Sequence, residues 1–159
     1  MPRVKIDLVA PAFELPASNG QAVASWDFKS RTPLVLFFPH ADCAACRGRL
    51  QELARDRGRY GEYQAQVLAL LPAPLPDCRR LAAELRLPFP LLSDSDGRVR
   101  GRYLEAPAAV GLFVLDRYGE PYGRWMATEA DSLPPAEPLL SALRLTELEC
   151  PECGVPDWS

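Results

Sequence analysis

The sequence predicts an α/β chain: one domain built on a mixed central β-sheet flanked by helices, with a β-hairpin at the N-terminal end. Three observations carry that prediction. The runs 34–38, 66–71 and 110–115 are apolar on consecutive residues, as strands buried on both faces are. A helically spaced stretch separates the first two runs, and a polar segment that turns and then reads as helix precedes the third. A β-α-β half followed by a β-β-α half folds into one layered unit. The 159 residues, 48% apolar and 25% charged, are enough for such a unit and its core.

Charge and composition narrow the classes of function. The net charge of −3 argues against a nucleic-acid surface, which needs a basic stripe. Only Lys5 and Lys29 of the 18 basic residues are lysines, a composition bias rather than a phosphate site. The first seven residues lack the apolar core of a signal peptide, and no stretch is long enough to span a membrane, so no membrane partner and a cytoplasmic location are expected. In that compartment the five cysteines suit catalysis or metal binding better than structural bridges.

In chain order, residues 11–16 alternate between prolines and read as a short edge strand. Residues 18–21 turn, and 22–24 pair back as the second hairpin strand. Ser25 is placed to cap a single helical turn over 26–28. The buried strand 34–38 follows, then a helix from Cys43 to about Tyr63, with Gly58 and Gly61 weakening its far end. Strand 66–71 is closed by Pro72. A helix from Pro76 to Leu85 carries Cys78. Leu91 and Leu92 form a brief strand, 93–97 a turn, and 99–104 a short helix. Strand 110–115 turns at 116–119 and returns antiparallel over 121–126; Pro134 and Pro135 precede a last helix over 136–145. Residues 1–147 are taken as the domain and 148–159 as an appended tail.

The chain is organised around the stretch Leu34-Val35-Leu36-Phe37-Phe38-Pro39-His40-Ala41-Asp42-Cys43-Ala44-Ala45-Cys46-Arg47. A Cys-x-x-Cys pair opens a helix directly after a buried strand. Cys43 falls at or near the N-cap and Cys46 one turn in, so both sulfurs share one side of the first turn. Free N–H groups and the helix dipole favour a thiolate there. An ordinary thiol with pKa about 8.5 is only a few per cent ionised at neutral pH; a fall of about 1.5 units, worth about 2 kcal/mol, makes it half ionised. Arg47 would assist by curling back, and Asp42 would oppose.

With these residues in view, the chain resembles the redoxin group of the thioredoxin superfamily. This group includes the alkyl hydroperoxide reductase/thiol-specific antioxidant proteins, above all the bacterioferritin-comigratory peroxiredoxins. The similarity runs over roughly residues 8–145, through Pro11-Ala12-Phe13-Glu14-Leu15-Pro16, 34–39, 87–94 and Phe113-Val114-Leu115-Asp116. It implies a thioredoxin-like fold and a thiol redox activity. The peroxiredoxin motif Pro-x-x-x-Thr/Ser-x-x-Cys places Cys46 at the peroxidatic position and Cys43 where the family has its threonine. The family's arginine before the third strand falls at Val110, so both peroxide-activating groups are absent from their positions. Thioredoxins instead attack with the first cysteine, here Cys43, and resolve with the second, here Cys46. The cis-proline that faces their pair also falls at Val110, with Pro107 out of register.

The other motifs are weighed beside this pair. Cys150-Pro151-Glu152-Cys153-Gly154 resembles the knuckle of rubredoxins and zinc ribbons, half of a four-ligand site for zinc or iron. A second copy of the chain, as a homodimer, or Cys43 and Cys46 would supply the rest; a redox relay to the first pair, or a local disulfide, are the competing readings. Cys78 reads as an inert, part-buried thiol, with a resolving role as the minor alternative. His40, the only histidine, reads as a solvated loop residue that could tune the thiols. Residues 94–97 look like part of a calcium loop but lack its remaining ligands, so they read as a turn and helix cap. Trp26 and Trp125 are expected in packing, and Trp158 in docking the tail.

Three functions follow. The first is a thiol–disulfide oxidoreductase that takes a protein or small-molecule disulfide and a thiol electron donor, with no cofactor required. The second is an atypical thiol peroxidase in which Cys46 meets peroxide and Cys43 resolves. The third is a metal-binding sensor or assembly module using the two Cys-x-x-Cys pairs.

Overall fold

The computed structural model describes residues 9–40 and 43–148. The sequence expectations placed on Asp42, Cys150, Cys153 and Trp158 lie outside these residues. Strands β1 (Glu14–Pro16) and β2 (Ala22–Ala24) form an antiparallel hairpin. The centre of the molecule is β3 (Leu34–Phe38), all five of whose residues are buried. It pairs in parallel with β4 (Gln66–Leu71) and antiparallel with β6 (Val110–Leu115). β5 (Leu91–Ser93) lies parallel to β4, and β7 (Pro121–Ala127) antiparallel to β6, which gives the order β5-β4-β3-β6-β7. The expected mixed sheet and N-terminal hairpin are thus both present.

Period-two alternation splits the sheet's side chains between two cores. Val35, Phe37, Val67, Ala69, Leu71, Leu112 and Val114 face one layer. That layer holds α1 (Ala44–Arg55), α2 (Arg57–Gly61), α3 (Leu75–Leu85) and α5 (Ala136–Glu147). Leu34, Leu36, Phe38, Leu68, Leu70, Phe113 and Leu115 face the other layer, built from α4 (Arg98–Tyr103), the hairpin strands and the segments flanking them. There the rings of Phe38 and Tyr103 lie 4.9 Å apart, and Tyr103 donates its hydroxyl to the Pro11 carbonyl at 2.6 Å. Gly111 marks a close approach of this layer to the sheet. A Cβ on it would stand 2.6 Å from Leu104 Cδ2 and 2.9 Å from the Phe113 ring, closer than carbon atoms pack.

The structure corrects several local expectations. The helix expected over 43–63 stops at Arg55 and restarts at Arg57, because Asp56 leaves the helical region at φ −90°, ψ 6°. Tyr60, on the second segment, lies in the core, 2% exposed. Ser25 is not a cap but the first residue of a 3-10 turn, Ser25–Phe28. Its Oγ accepts the Phe13 N–H, while Asp27 accepts that of Ala24. Trp26 is exposed rather than packed. A second 3-10 turn, Ala130–Ser132, had no signal in the sequence.

Candidate active site

β3 ends where Pro39, which has no N–H to donate, interrupts the ladder. The turn that follows carries His40, which is exposed, and Cys43, whose extended backbone (φ −118°, ψ 161°) makes it the N-cap of α1. The Cys43 sulfur accepts the Cys46 N–H at 3.4 Å, the bond an N-cap side chain makes to the third residue of a helix. Cys43 is exposed and Cys46 is buried, with 1% of its surface accessible. The Cys46 sulfur accepts the His40 N–H at 3.4 Å. Neither cysteine forms a disulfide. The two thiols therefore sit where the spacing placed them, but only one opens to solvent. The side chain of Cys46 turns into the core that contains Val35, Leu50 and Val110.

Arg47, which would assist the thiols by curling back, makes an ion pair with Glu84 of α3 at 3.1 Å. Val110 is fully buried at the start of β6, so the position matched to the family's arginine holds an aliphatic side chain. An arginine nevertheless reaches this end of the sheet. Arg100, from α4 in the opposite layer, donates Nη1 to the Pro39 carbonyl at 2.6 Å and Nη2 to the Ala109 carbonyl. These two carbonyls leave β3 and enter β6 at the same end of adjacent strands, and the planar guanidinium bridges them. Burial pulls the Arg100 pKa below its ordinary value; the carboxylate of Asp94 and, less strongly, the Cys46 thiolate oppose that fall. Asp94 is itself buried and caps α4, with Oδ1 accepting the Val99 N–H and Oδ2 that of Arg100. The turn-and-cap reading of 94–97 thus stands, while Arg100 had no visible link to the cysteines in the sequence.

Cys78 lies apart from this constellation. It is fully buried on α3, its thiol directed at the carbonyls of Ala73 and Leu92 at 3.7 and 3.9 Å, and burial pushes its pKa up to about 11. The Ala106–Pro107 peptide is cis, with Pro107 exposed in the loop before β6. Among the described residues no group of three or more His, Cys, Asp or Glu side chains could hold a metal ion. The zinc or iron assigned to Cys150 and Cys153 has no support there. No helix among these residues is long and apolar enough to cross a membrane.

Comparison with known proteins places this geometry in a family. The model of the AhpC/TSA family matches residues 6–119, most of the chain. The chain belongs to the AhpC/TSA family. Alkyl hydroperoxide reductase E of Mycobacterium tuberculosis is 30% identical over 124 residues, covering 73% of this chain and 81% of that protein. In fold, this AhpC/TSA protein is similar to peroxidoxin BcpB from Mycobacterium tuberculosis. The TM-score is 0.76 at 22% identity, over 92% of this chain and 99% of that one. It is also similar to a Chlorobium tepidum structure named as thiol:disulfide interchange protein DsbE. There the TM-score is 0.73 at 21% identity, over 90% and 98% of the two chains. The redoxin frame and the thiol oxidoreductase class expected from the sequence both stand.

Proposed function

We propose that this AhpC/TSA protein is a thiol–disulfide oxidoreductase in which Cys43 attacks and Cys46 resolves. The observation that carries this reading is the asymmetry of the pair: Cys43 is exposed at the helix N-cap, and Cys46 is 1% exposed behind it. A disulfide brought by another molecule meets only the outer sulfur. The Cys43 thiolate attacks one sulfur of the substrate, forming a mixed disulfide and releasing the other sulfur as a thiolate. Cys46 then gives up its proton and attacks the Cys43 sulfur. The substrate's second thiolate leaves, and a Cys43–Cys46 disulfide remains. The substrate has gained two electrons, and a thiol donor returns them to the enzyme in a second exchange. All of this chemistry is carried by the two sulfurs and requires no metal or organic cofactor.

Trapping tests the assignment. Cys46→Ser should accumulate mixed disulfides through Cys43, and Cys43→Ser should accumulate none. Absence of any adduct on Cys46→Ser, with the folded protein reduced beforehand, rejects the reading.

A second reading has an observation of its own. The His40 N–H points at the Cys46 sulfur, and the partly buried Arg100 holds the carbonyl of the same peptide, an environment that favours thiolate at Cys46. Under this reading peroxide is small enough to reach Cys46. The sulfur attacks one peroxide oxygen and the O–O bond breaks, giving a sulfenic acid while the other oxygen takes a proton and leaves as water or an alcohol; the Cys43 thiol then condenses with the sulfenic acid, releasing water. Stopped-flow consumption of the Cys46 thiolate by hydrogen peroxide separates the two. A rate no faster than that of a free thiol removes the peroxidase.

A further inference from the structure

The peptide between Pro39 and His40 has a partner on each of its polar atoms. Its N–H, on His40, faces the Cys46 sulfur at 3.4 Å, and its carbonyl, on Pro39, accepts from Arg100 Nη1 at 2.6 Å. A charged donor on the carbonyl draws electron density through the amide and strengthens donation from its N–H. The second arm of the guanidinium is fixed on the Ala109 carbonyl, and the Arg100 N–H is held by the buried carboxylate of Asp94. The side chain is therefore anchored at both ends, and its partial burial reduces the screening of its charge by water. We propose that Arg100 is a positioning residue for Cys46. Its guanidinium orients and polarises the Pro39–His40 peptide, and so holds the Cys46 sulfur ready to react as a thiolate.

The consequence for the reaction is specific to the second step. Once Cys43 is in a mixed disulfide, turnover waits on ionisation of a sulfur that is buried, and burial opposes the charge. Arg100 offsets that opposition without touching the substrate. Several other ionisable groups lie near this end of the sheet. Cys43 begins the same helix, the His40 ring is exposed, Asp94 stands behind Arg100, and Arg47 is paired with Glu84. The inference deepens the oxidoreductase reading in its second step, yet its test needs no substrate.

The experiment follows Cys46 by the carbon-13 shift of its Cβ against pH. It uses the reduced full chain carrying Cys43→Ser, so that Cys46 titrates without a coupled neighbour. Arg100→Met should raise the Cys46 pKa by about one unit. Arg100→Gln, which can still donate to a carbonyl but carries no charge, should raise it nearly as far, and Arg100→Lys should recover part of the difference. A purely structural staple predicts that Arg100→Gln titrates like the parent, and that result overturns the proposal. Should the variants fail to fold, the parent protein decides: the His40 amide and Arg100 Nη proton shifts must move with the Cys46 midpoint, and their indifference to it overturns the proposal equally. Normal titration behaviour together with no trapped mixed disulfide on Cys46→Ser would remove the oxidoreductase reading and leave Arg100's role standing.

Discussion

If Cys43 and Cys46 carry the chemistry, the third described cysteine has to be silent, and the structure says by how much. Cys78 has no exposed surface, and burial moves its pKa from 9.0 to about 11. At about pH 8 a thiol of pKa 9.0 is roughly one-tenth ionised, and one of pKa about 11 roughly one-thousandth, a hundredfold difference in thiolate. The more basic thiolate is the better nucleophile by about tenfold over that span, so ionisation alone slows Cys78 about tenfold. Burial adds to this, because a reagent reaches the sulfur only when the protein opens. The assay is alkylation by iodoacetamide with each cysteine read by mass spectrometry, once in the folded reduced protein and once in urea. Comparing Cys78 with itself removes differences in sequence context. The expected result is protection of at least tenfold on folding, with Cys43 modified long before. Equal folded and unfolded rates at Cys78 would refute both the burial and the argument that this residue stands outside the site.

The same buried acids make stability sensitive to alkali. Cys78 and Tyr60 are pushed up to about 11 and about 12, and Tyr103 moves the same way, each chiefly through burial. The unfolded chain therefore loses these protons first as pH rises. Stability is full below about pH 9 and falls as pH climbs toward the folded values; Cys78 alone accounts for about 1.4 kcal/mol by about pH 10. Urea midpoints measured with reductant should drop across this range, less steeply in Cys78→Ala, and a flat profile would contradict the sign. Gly111→Ala should cost about 1–3 kcal/mol through its collision with Leu104 and Phe113, and an unchanged melting temperature would show that those side chains yield freely. Asp94→Ala should cost about 1–2 kcal/mol by uncapping α4, visible as a lower urea midpoint.

What could be read from the sequence followed from short-range physics. The runs 34–38, 66–71 and 110–115 are apolar on both sides, and each became a central strand with those bounds. Cys43 as N-cap and Cys46 one turn in follow from the spacing, because three residues make most of a helical turn. The break at Asp56 was invisible: glycines at 58 and 61 weaken a helix without saying where it turns, and the burial of Tyr60 decides that. Arg100 was invisible for a different reason. Its partners are backbone carbonyls, one of them 61 residues away, and a carbonyl leaves no mark on the sequence. An arginine in a short helix flanked by Arg98 and Arg102 reads as one more solvated charge until the layers are assembled.

The way the hairpin meets β5 has a consequence for how other chains can approach. Ala17 bridges to Leu92, Ser18 donates its N–H to the Leu91 carbonyl at 2.8 Å, and the Ser18 hydroxyl takes the Leu91 N–H at 3.0 Å. That margin of the sheet is occupied by the molecule's own backbone. An incoming extended polypeptide finds no vacant rung there on which to lengthen the ladder. On the proposed oxidoreductase reading, a protein substrate would therefore be recognised by its side chains and its cystine near the first turn of α1, or along a different border, rather than by zipping onto β5.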